Sequence, residues 1–484
     1  MNQVNKNYIN GKWQESRGGT KFKSINPADT TDEIGTYQRS TVEDVNLAFS
    51  AAESVRKSWS SIPATQRGEL LFKAANILEK RLEKVAAMLT REMGKTFTEA
   101  KGEVLRGLQL LQFYGGEGWR MTGTTFPSGK QGRLLLTLRE PLGVVCILTP
   151  WNFPFVIPLW KIGPALVYGN TVVFKPANLT PQCGLELTRI IDEAGFPHGV
   201  FNFITGTSSE LGDALVTHPA VNGISFTGSC ATGAKIALKA SGRRPKLQLE
   251  MGGQNPLIVM EDADLDQATD IAINGSFWST GQKCTATGRI IVQEKVHKEF
   301  AELMVKKTKN LRVGNGMDTE TQVGPMVSEE QLEMVLDYVE VGKKEGAKLL
   351  CGGGRLEGKK YDKGYFIEPT IFGEVKPKMR IAQEEVFGPF VCILKAKDLQ
   401  EALDIANDSR YGLSGAICTR ETKNVLKFVR EIGVGLVHVN NSTAGAEPHV
   451  PFGGMKDSTS YFREMGRTAI EFFTQYKTVY MDAT

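Results

Sequence analysis

VVCILTPWNFPFVIPLWKIGPALVYGNTVVFKPAN, residues 144 to 178, switches between two kinds of local pattern within a single stretch. VVCIL (144–148) and TVVF (171–174) are short apolar runs rich in β-branched residues, and each reads as a buried strand. Residues 156–168 between them read as a helix. The alternation continues with strand-like FNFI (201–204) and GISF (223–226), and with helix-like segments at 182–194, 208–217 and 230–241. Strand alternating with helix at this spacing predicts a doubly wound α/β domain around a parallel sheet. Such sheets bind ligands beyond the carboxyl ends of their strands. There the chain carries TPWN after the first strand, KPAN after the second, TG after the third and TGS after the fourth.

Outward from this core, residues 42–121 are helical in pattern. LLFKAANILEKRLEKVAAMLTREMG (70–94) repeats apolar positions at helical spacing, with Gly94 as its stop. A second α/β unit is expected from about Pro256 to Asn440. Its candidate strands are PLIVM (256–260), RIIVQ (289–293), FVCIL (390–394), SGAIC (414–418) and GLVHV (435–439), with amphipathic stretches at 297–310 and 329–346. FFTQYKTVYM (472–481) alternates like a strand and could pair with RLLLTLRE (133–140) in a small separate sheet. Both would be poor lone edges, which points to a subunit contact.

At 484 residues the chain is too long for one hydrophobic core, so two or three domains are expected. Hydrophobic content of 41% and charged content of 23% are ordinary for a globular protein. A net charge of +4 without a dense Lys/Arg stripe argues against nucleic acid or an acidic membrane surface as partner. No window approaches a membrane span, and the first residues lack the apolar core of a signal peptide. The seven cysteines are irregularly spaced without a CxxC pair, which fits neither a zinc site nor a disulfide framework. A cytoplasmic, soluble protein is the expectation.

FWSTGQKCTATGR (277–289) sets Cys284 among small and polar residues, after Gly281 and Gln282. That setting suits a thiol offered to a substrate, although a lone cysteine is also read as inert packing. Asn152 is readable as a turn residue beside Pro154 or as an amide donor at a strand end. Glu250 closes the run KLQLE before two glycines, as a solvated strand-end acid or as a base facing a cleft. None of the five histidines sits in a recognisable catalytic motif.

Seven motifs in order decide among these readings: TPWNFP (149–154), FKPA (174–177), FTGS (226–229), EMGG (250–253), GQKC (281–284), EEVFGP (384–389) and PFGGMK (451–456). Over nearly its whole length the chain resembles the NAD(P)-dependent, nonphosphorylating aldehyde dehydrogenase superfamily. The texture of IPLWKIGPAL, GQKCTATGR and EPHVPFGGMKDS is most similar to α-ketoglutarate-semialdehyde dehydrogenases within it. The resemblance implies two doubly wound α/β domains and a small oligomerisation β-sheet. Residues 1–125 and 144–255 would form the dinucleotide-binding domain, 256–440 the catalytic domain, and 126–143 with 468–484 the oligomerisation sheet of a homodimer or homotetramer.

By the same resemblance Cys284 is the nucleophile, Asn152 the donor to the oxygen that becomes negative, and Glu250 the base that activates water. Lys175 resembles the lysine on the adenosine ribose. Gly228 and Ser229 resemble the pyrophosphate turn, and Gly233 the glycine that lets the following helix pack closely. Glu385 and Phe387 resemble the pair that holds the nicotinamide ribose and ring, while Trp151 reads as packing near the cofactor or in the core. No metal is implied. Asn178 departs from the glutamate that NAD-preferring relatives often carry after KPA. Its neutral side chain would not repel a 2′-phosphate, so NADP is the expected cofactor, with NAD also accepted.

Substrate choice is the least legible part. Trp160 stands where succinic-semialdehyde enzymes typically carry arginine, and Trp160, Phe155, Phe277 and Phe452 read as a funnel lining or as core. A substrate carboxylate would need a cation, with Arg289 and Arg120 as candidates. A semialdehyde, an aromatic aldehyde and an aliphatic aldehyde all remain open. The rival functions are CoA-dependent acylation, which the presence of Glu250 disfavours, and a silent scaffold, which the set Cys284, Glu250 and Asn152 disfavours.

Overall fold

A computed structural model describes residues 4–483 of the chain. Residues 1–3 and 484, the outermost parts of the expected dinucleotide-binding domain and oligomerisation sheet, lie outside the described residues. Two seven-stranded sheets organise the molecule. In the first, Val144–Leu148 lies at the centre, and the chain steps outward through Thr171–Lys175 to Phe201–Phe203. It then returns to the other side for Val221–Gly228 and Lys246–Met251, all in parallel register. The reversal of direction between Val144–Leu148 and Val221–Gly228 leaves a crevice beyond their carboxyl ends.

The strands expected at 144, 171, 201 and 223 are all present, because each is a buried apolar run that no amphipathic helix could accommodate. What the pattern missed is the edge. Asn7–Ile9 pairs antiparallel with Phe201–Phe203 and with Lys12–Gln14, extending the sheet with strands too short to show alternation. Lys21–Asn26 and Asp29–Gln38 form a further hairpin. The helices Val42–Ser61, Ala64–Met93 and Phe97–Glu117 account for the long helical region, and Gly94 caps the second at φ 97°.

In the second sheet Asn255–Val259 lies between Thr287–Gln293 and Ser414–Cys418. Phe390–Ala396, Thr370–Gly373 and Leu436–Val439 continue it in parallel, and Lys348–Cys351 closes one edge antiparallel. The strands at 348 and 370 were not foreseen. The third sheet pairs Thr474–Asp482 with Arg133–Pro141 along its whole length, and Thr125–Phe126 adds a short third strand. Among the described residues no helix is long and apolar enough to cross a membrane.

The link between the two large sheets positions the site. Glu250 ends a strand of the first sheet and Asn255 begins a strand of the second, so Gly252, Gly253 and Gln254 cross the cleft between them. At Gly252 a Cβ would lie 1.9 Å from Glu385 Oε2, so any larger residue would push that carboxylate aside. Lys283–Ala286 likewise enters the amino end of Thr287–Gln293. The carboxyl edge of one sheet therefore faces the amino edge of the other.

Candidate active site

Cys284 is partly exposed where two cavities meet. One, of about 230 Å³, is lined by Trp151, Asn152, Gly228, Ser229, Glu385 and Phe387. Around Ser229 it adjoins a larger crevice of about 700 Å³ that includes Lys175, Asn178 and Lys235. The other cavity, of about 380 Å³, is lined by Arg106, Phe153, Trp160, Trp278, Lys283 and Phe452, among others.

The turn carrying Cys284 is held under strain. Ser279 and Thr280 adopt φ of 54° and 56°, in the left-handed region that costs a side-chain-bearing residue about 1–3 kcal/mol. Gly281 follows at φ 65°, where a Cβ would lie 2.0 Å from the Gly388 carbonyl oxygen. Glu99 Oε1 accepts from Ser279 N at 2.6 Å, and Thr280 Oγ1 donates to the Gly324 carbonyl at 3.1 Å. Asn255 Nδ2 donates to the Cys284 and Ala286 carbonyls at 2.9 and 2.8 Å. The thiol thus rises from a turn fixed on three sides, a suitable mount for a nucleophile that must meet its target at a set angle.

Asn152 is locked against the same turn. Its Nδ2 donates to the Gln282 carbonyl at 3.1 Å, and Lys95 Nζ donates to its backbone carbonyl at 2.8 Å. Lys95 is paired in turn with Glu103 at 2.6 Å, both side chains fully buried. Glu103 Oε1 accepts from Phe155 N and Val156 N at the start of the helix Val156–Val167. Removing one partner of such a buried pair leaves an uncompensated charge and costs about 3–5 kcal/mol. The Cys284 N–H donates to no backbone acceptor among the described residues, so it and one Asn152 amide hydrogen are available to an incoming oxygen.

Glu250 is buried and lines neither cavity. One carboxylate oxygen accepts from Thr459 Oγ1 at 3.0 Å and the other has no partner among the described residues. Burial, reinforced by the nearby Glu464 carboxylate, holds its pKa well above the usual carboxylate range. Glu464 is itself raised by burial, opposed by Lys161, with which it forms a buried ion pair. Lys161 Nζ also donates to Ser225 Oγ at 3.1 Å. Cys284 is pushed up to about 12, chiefly by burial and then by the carboxylates of Glu385, Glu250 and Glu464. In this arrangement the resting thiol keeps its proton, and a neighbouring base must take it.

The residues expected to bind a dinucleotide lie along the crevice of the first sheet and the smaller cavity beside it. Ser229 caps the helix Cys230–Ala240 by accepting from Thr232 N at 3.3 Å. A Cβ at Gly233 would lie 2.3 Å from the Met251 sulfur, so a larger residue there would displace the Met251 side chain from beneath the helix. Lys175 donates to the Pro176 carbonyl at 2.9 Å, and burial lowers its pKa to about 8. Glu385 Oε1 accepts from Gly253 N at 2.9 Å, with burial raising its pKa to about 7. Trp151 and Phe387 meet edge to face with centroids 5.3 Å apart, at the narrow end of the crevice. Thr149 Oγ1, Asn178 Oδ1 and Thr227 Oγ1, all in the crevice wall, are buried without partners among the described residues. Orphaned polar atoms beside a capped helix N-terminus suit a long polar ligand such as a dinucleotide.

Several substrate expectations need correction. Trp160 and Phe452 do line the cavity and pack together at 5.2 Å. Phe155 and Phe277 do not, since both are completely buried in hydrophobic cores. Phe155 lies over Gly107, and the cavity is reached instead by its neighbour Phe153 and by Trp278. Arg289 is 1% exposed and donates to the Gln254, Ile405 and Ala406 carbonyls, which makes it a tie between loops. Arg120 pairs with Glu117 at 2.6 Å and lines none of these cavities.

The aldehyde dehydrogenase family model matches residues 13–479. The chain belongs to the aldehyde dehydrogenase family. Within the family it is 48% identical over 475 residues to the α-ketoglutaric semialdehyde dehydrogenase of Bacillus subtilis, covering 98% of this chain and 97% of that one. It is 41% identical over 481 residues to the α-ketoglutarate semialdehyde dehydrogenase of Haloferax volcanii, covering 99% of each. Among solved structures, betaine aldehyde dehydrogenase from Staphylococcus aureus in complex with NAD+ is similar at a TM-score of 0.97 and 34% identity, covering 99% of this chain and 95% of that one. The family motifs singled out Cys284 and Asn152, which the structure brings together at one cavity, and Glu250, which it buries. They did not reveal Glu99, Lys95, Glu103 or Glu464, which come from distant segments. Lys161 carried a signal that was passed over: a lysine inside the apolar run IPLWKIGPAL needs a buried partner.

Proposed function

We propose that this enzyme oxidises a carboxylate-bearing semialdehyde, α-ketoglutarate semialdehyde foremost, to the corresponding acid with NADP or NAD. The observation that carries the reading is the place of Cys284, shared between the dinucleotide crevice and a second cavity large enough for a small substrate. The semialdehyde itself is supported by the names of the two similar relatives and by a cation in the second cavity.

The chain's own groups account for each step. Cys284, its proton taken by a carboxylate, bonds through sulfur to the aldehyde carbon. Negative charge then develops on the former carbonyl oxygen, where the Asn152 amide and the Cys284 N–H donate to it, each such donor worth about 3 kcal/mol of barrier. A nicotinamide held against Trp151 and Phe387 would supply the acceptor for the hydride that this carbon loses. Cys284 then carries a thioester. Glu250, whose buried carboxylate holds a proton more tightly than an ordinary one, turns from Thr459 towards the thioester and removes a proton from the attacking water. The acid leaves and the sulfur is free again. In balance, aldehyde, water and oxidised dinucleotide become acid, reduced dinucleotide and a proton.

Lys175, Ser229 and Glu385 would hold the ribose and phosphate groups, with Trp151 and Phe387 against the ring. Three lysines, Lys175, Lys235 and Lys239, line the adenosine end, and its one acid, Asp213, is paired with Lys239. That balance favours a 2′-phosphate, hence NADP, with NAD tolerated. The 126–143 and 468–484 segments serve as the oligomerisation sheet, since Leu134, Leu138, Tyr480 and Met481 leave it exposed and apolar. The enzyme works in the cytoplasm, in keeping with seven free cysteines. Steady-state kinetics across α-ketoglutarate semialdehyde, succinic semialdehyde, benzaldehyde and short aliphatic aldehydes, each with NADP and NAD, tests the proposal. The highest kcat/KM should fall on an anionic semialdehyde with NADP, and a preference for neutral aldehydes would overturn it.

A further inference from the structure

We infer that Arg106 is the residue that reads the distal carboxylate of the substrate, an assignment that rests on the semialdehyde reading above. The helix Phe97–Glu117 presents Glu99, Gly102, Glu103 and Arg106 to the second cavity, a spacing that places all four on one helical face. Each of the other charged groups on the wall is already engaged. Glu103 is paired with Lys95, and Glu99 accepts from Ser279 N and from Thr96 N at 2.6 and 2.9 Å. Lys283 donates to the Asn274 carbonyl at 2.9 Å and sits in the field of Glu99. Arg106 alone makes neither a side-chain hydrogen bond nor an ion pair among the described residues, although it is half-buried.

A half-buried guanidinium with no protein partner keeps its five donors for water or for a ligand that supplies the acceptor. The geometry also distinguishes it from Lys283. Lys283 is tied to the Asn274 carbonyl, whereas Arg106, on the helix whose Glu99 meets Ser279 of the turn, has no such tie. Phe153, Trp160, Trp278 and Phe452 line the same cavity and give it an apolar wall. A short carbon chain with an aldehyde at one end and a carboxylate at the other suits a cavity that combines a thiol, an apolar wall and a guanidinium. Arginine suits the task because its planar fork can hold both oxygens at once.

The test measures kcat/KM for α-ketoglutarate semialdehyde and for neutral pentanal in wild type, Arg106→Met, Arg106→Lys and Lys283→Met. In Arg106→Met the ratio of anionic to neutral substrate should fall about 100-fold, carried by KM rather than kcat. Arg106→Lys should recover part of the ratio, since charge returns without the fork. A wild-type preference for the semialdehyde that survives in Arg106→Met, or that is lost in Lys283→Met instead, overturns the assignment while leaving the semialdehyde reading intact. No preference in wild type overturns both. Should Arg106→Met fail to fold, Arg106→Lys and Arg106→Gln carry the same comparison, with a thermal melt reported for each.

Discussion

Replacing Glu250 with glutamine separates the two halves of the reaction. The substitution preserves side-chain volume, and its carbonyl oxygen can keep the 3.0 Å contact with Thr459 Oγ1, so the buried strand end should hold. What disappears is basicity. Bond formation at Cys284 and loss of the hydride do not need Glu250 to activate water, but hydrolysis does. A positioned general base contributes about 10²–10⁴ in rate, so deacylation should slow by that factor, a barrier rise of about 3–5 kcal/mol. Stopped-flow absorbance of the reduced dinucleotide, after mixing enzyme with saturating aldehyde and cofactor, should show a burst of one equivalent per active site followed by a slow steady state. Wild type should show a much smaller burst or none. A Glu250→Gln enzyme with no burst and a steady state close to wild type would refute the assignment. So would loss of the burst itself, which would place Glu250 at the first step.

Three further outcomes follow from the same geometry. Because burial and three carboxylates raise the Cys284 thiol to about 12, alkylation by iodoacetamide in the cofactor-free enzyme should climb with pH beyond 9. Levelling near the ordinary thiol value of about 8.5 would contradict that environment. Asn178→Glu would set a carboxylate against a 2′-phosphate, a repulsion of about 3 kcal/mol at about 6 Å and an effective dielectric of about 20. The NADP kcat/KM should fall about 100-fold relative to NAD, and an unchanged ratio would remove Asn178 from cofactor choice. Arg289→Met strands three carbonyls in the core and should cost about 3 kcal/mol or more in denaturant unfolding. A stable variant that instead lost its preference for anionic substrates would return Arg289 to the substrate site.

The legible parts of this protein were those in which one segment carries its own signal. The four central strands of the first sheet are short, largely buried and mostly apolar, and the pairing of 133–141 with 474–482 was visible as two alternating strands. Asn7–Ile9 and Lys12–Gln14 were missed because strands of three residues cannot show a period. Phe155 and Phe277 were readable as funnel lining or as core, and the structure makes both core. A shift of one or two residues turns a side chain from cavity to core, and nothing in the local pattern specifies which of Phe153 and Phe155, or Phe277 and Trp278, faces inward. Arg106 and Glu464 carried no signal, for their meaning lies in what other segments bring opposite them. The Lys161–Glu464 pair spans 303 positions of chain, a separation that no local reading bridges.

The central claim is that Cys284 is acylated during turnover. Enzyme quenched in acid while oxidising its aldehyde, with Glu250→Gln used to accumulate the intermediate, can be weighed intact and mapped by peptide mass spectrometry. The expected result is an adduct of the aldehyde's mass less two hydrogens on the peptide that contains Cys284, absent without dinucleotide. Full turnover by Cys284→Ala, or an adduct found only on another cysteine, would contradict it.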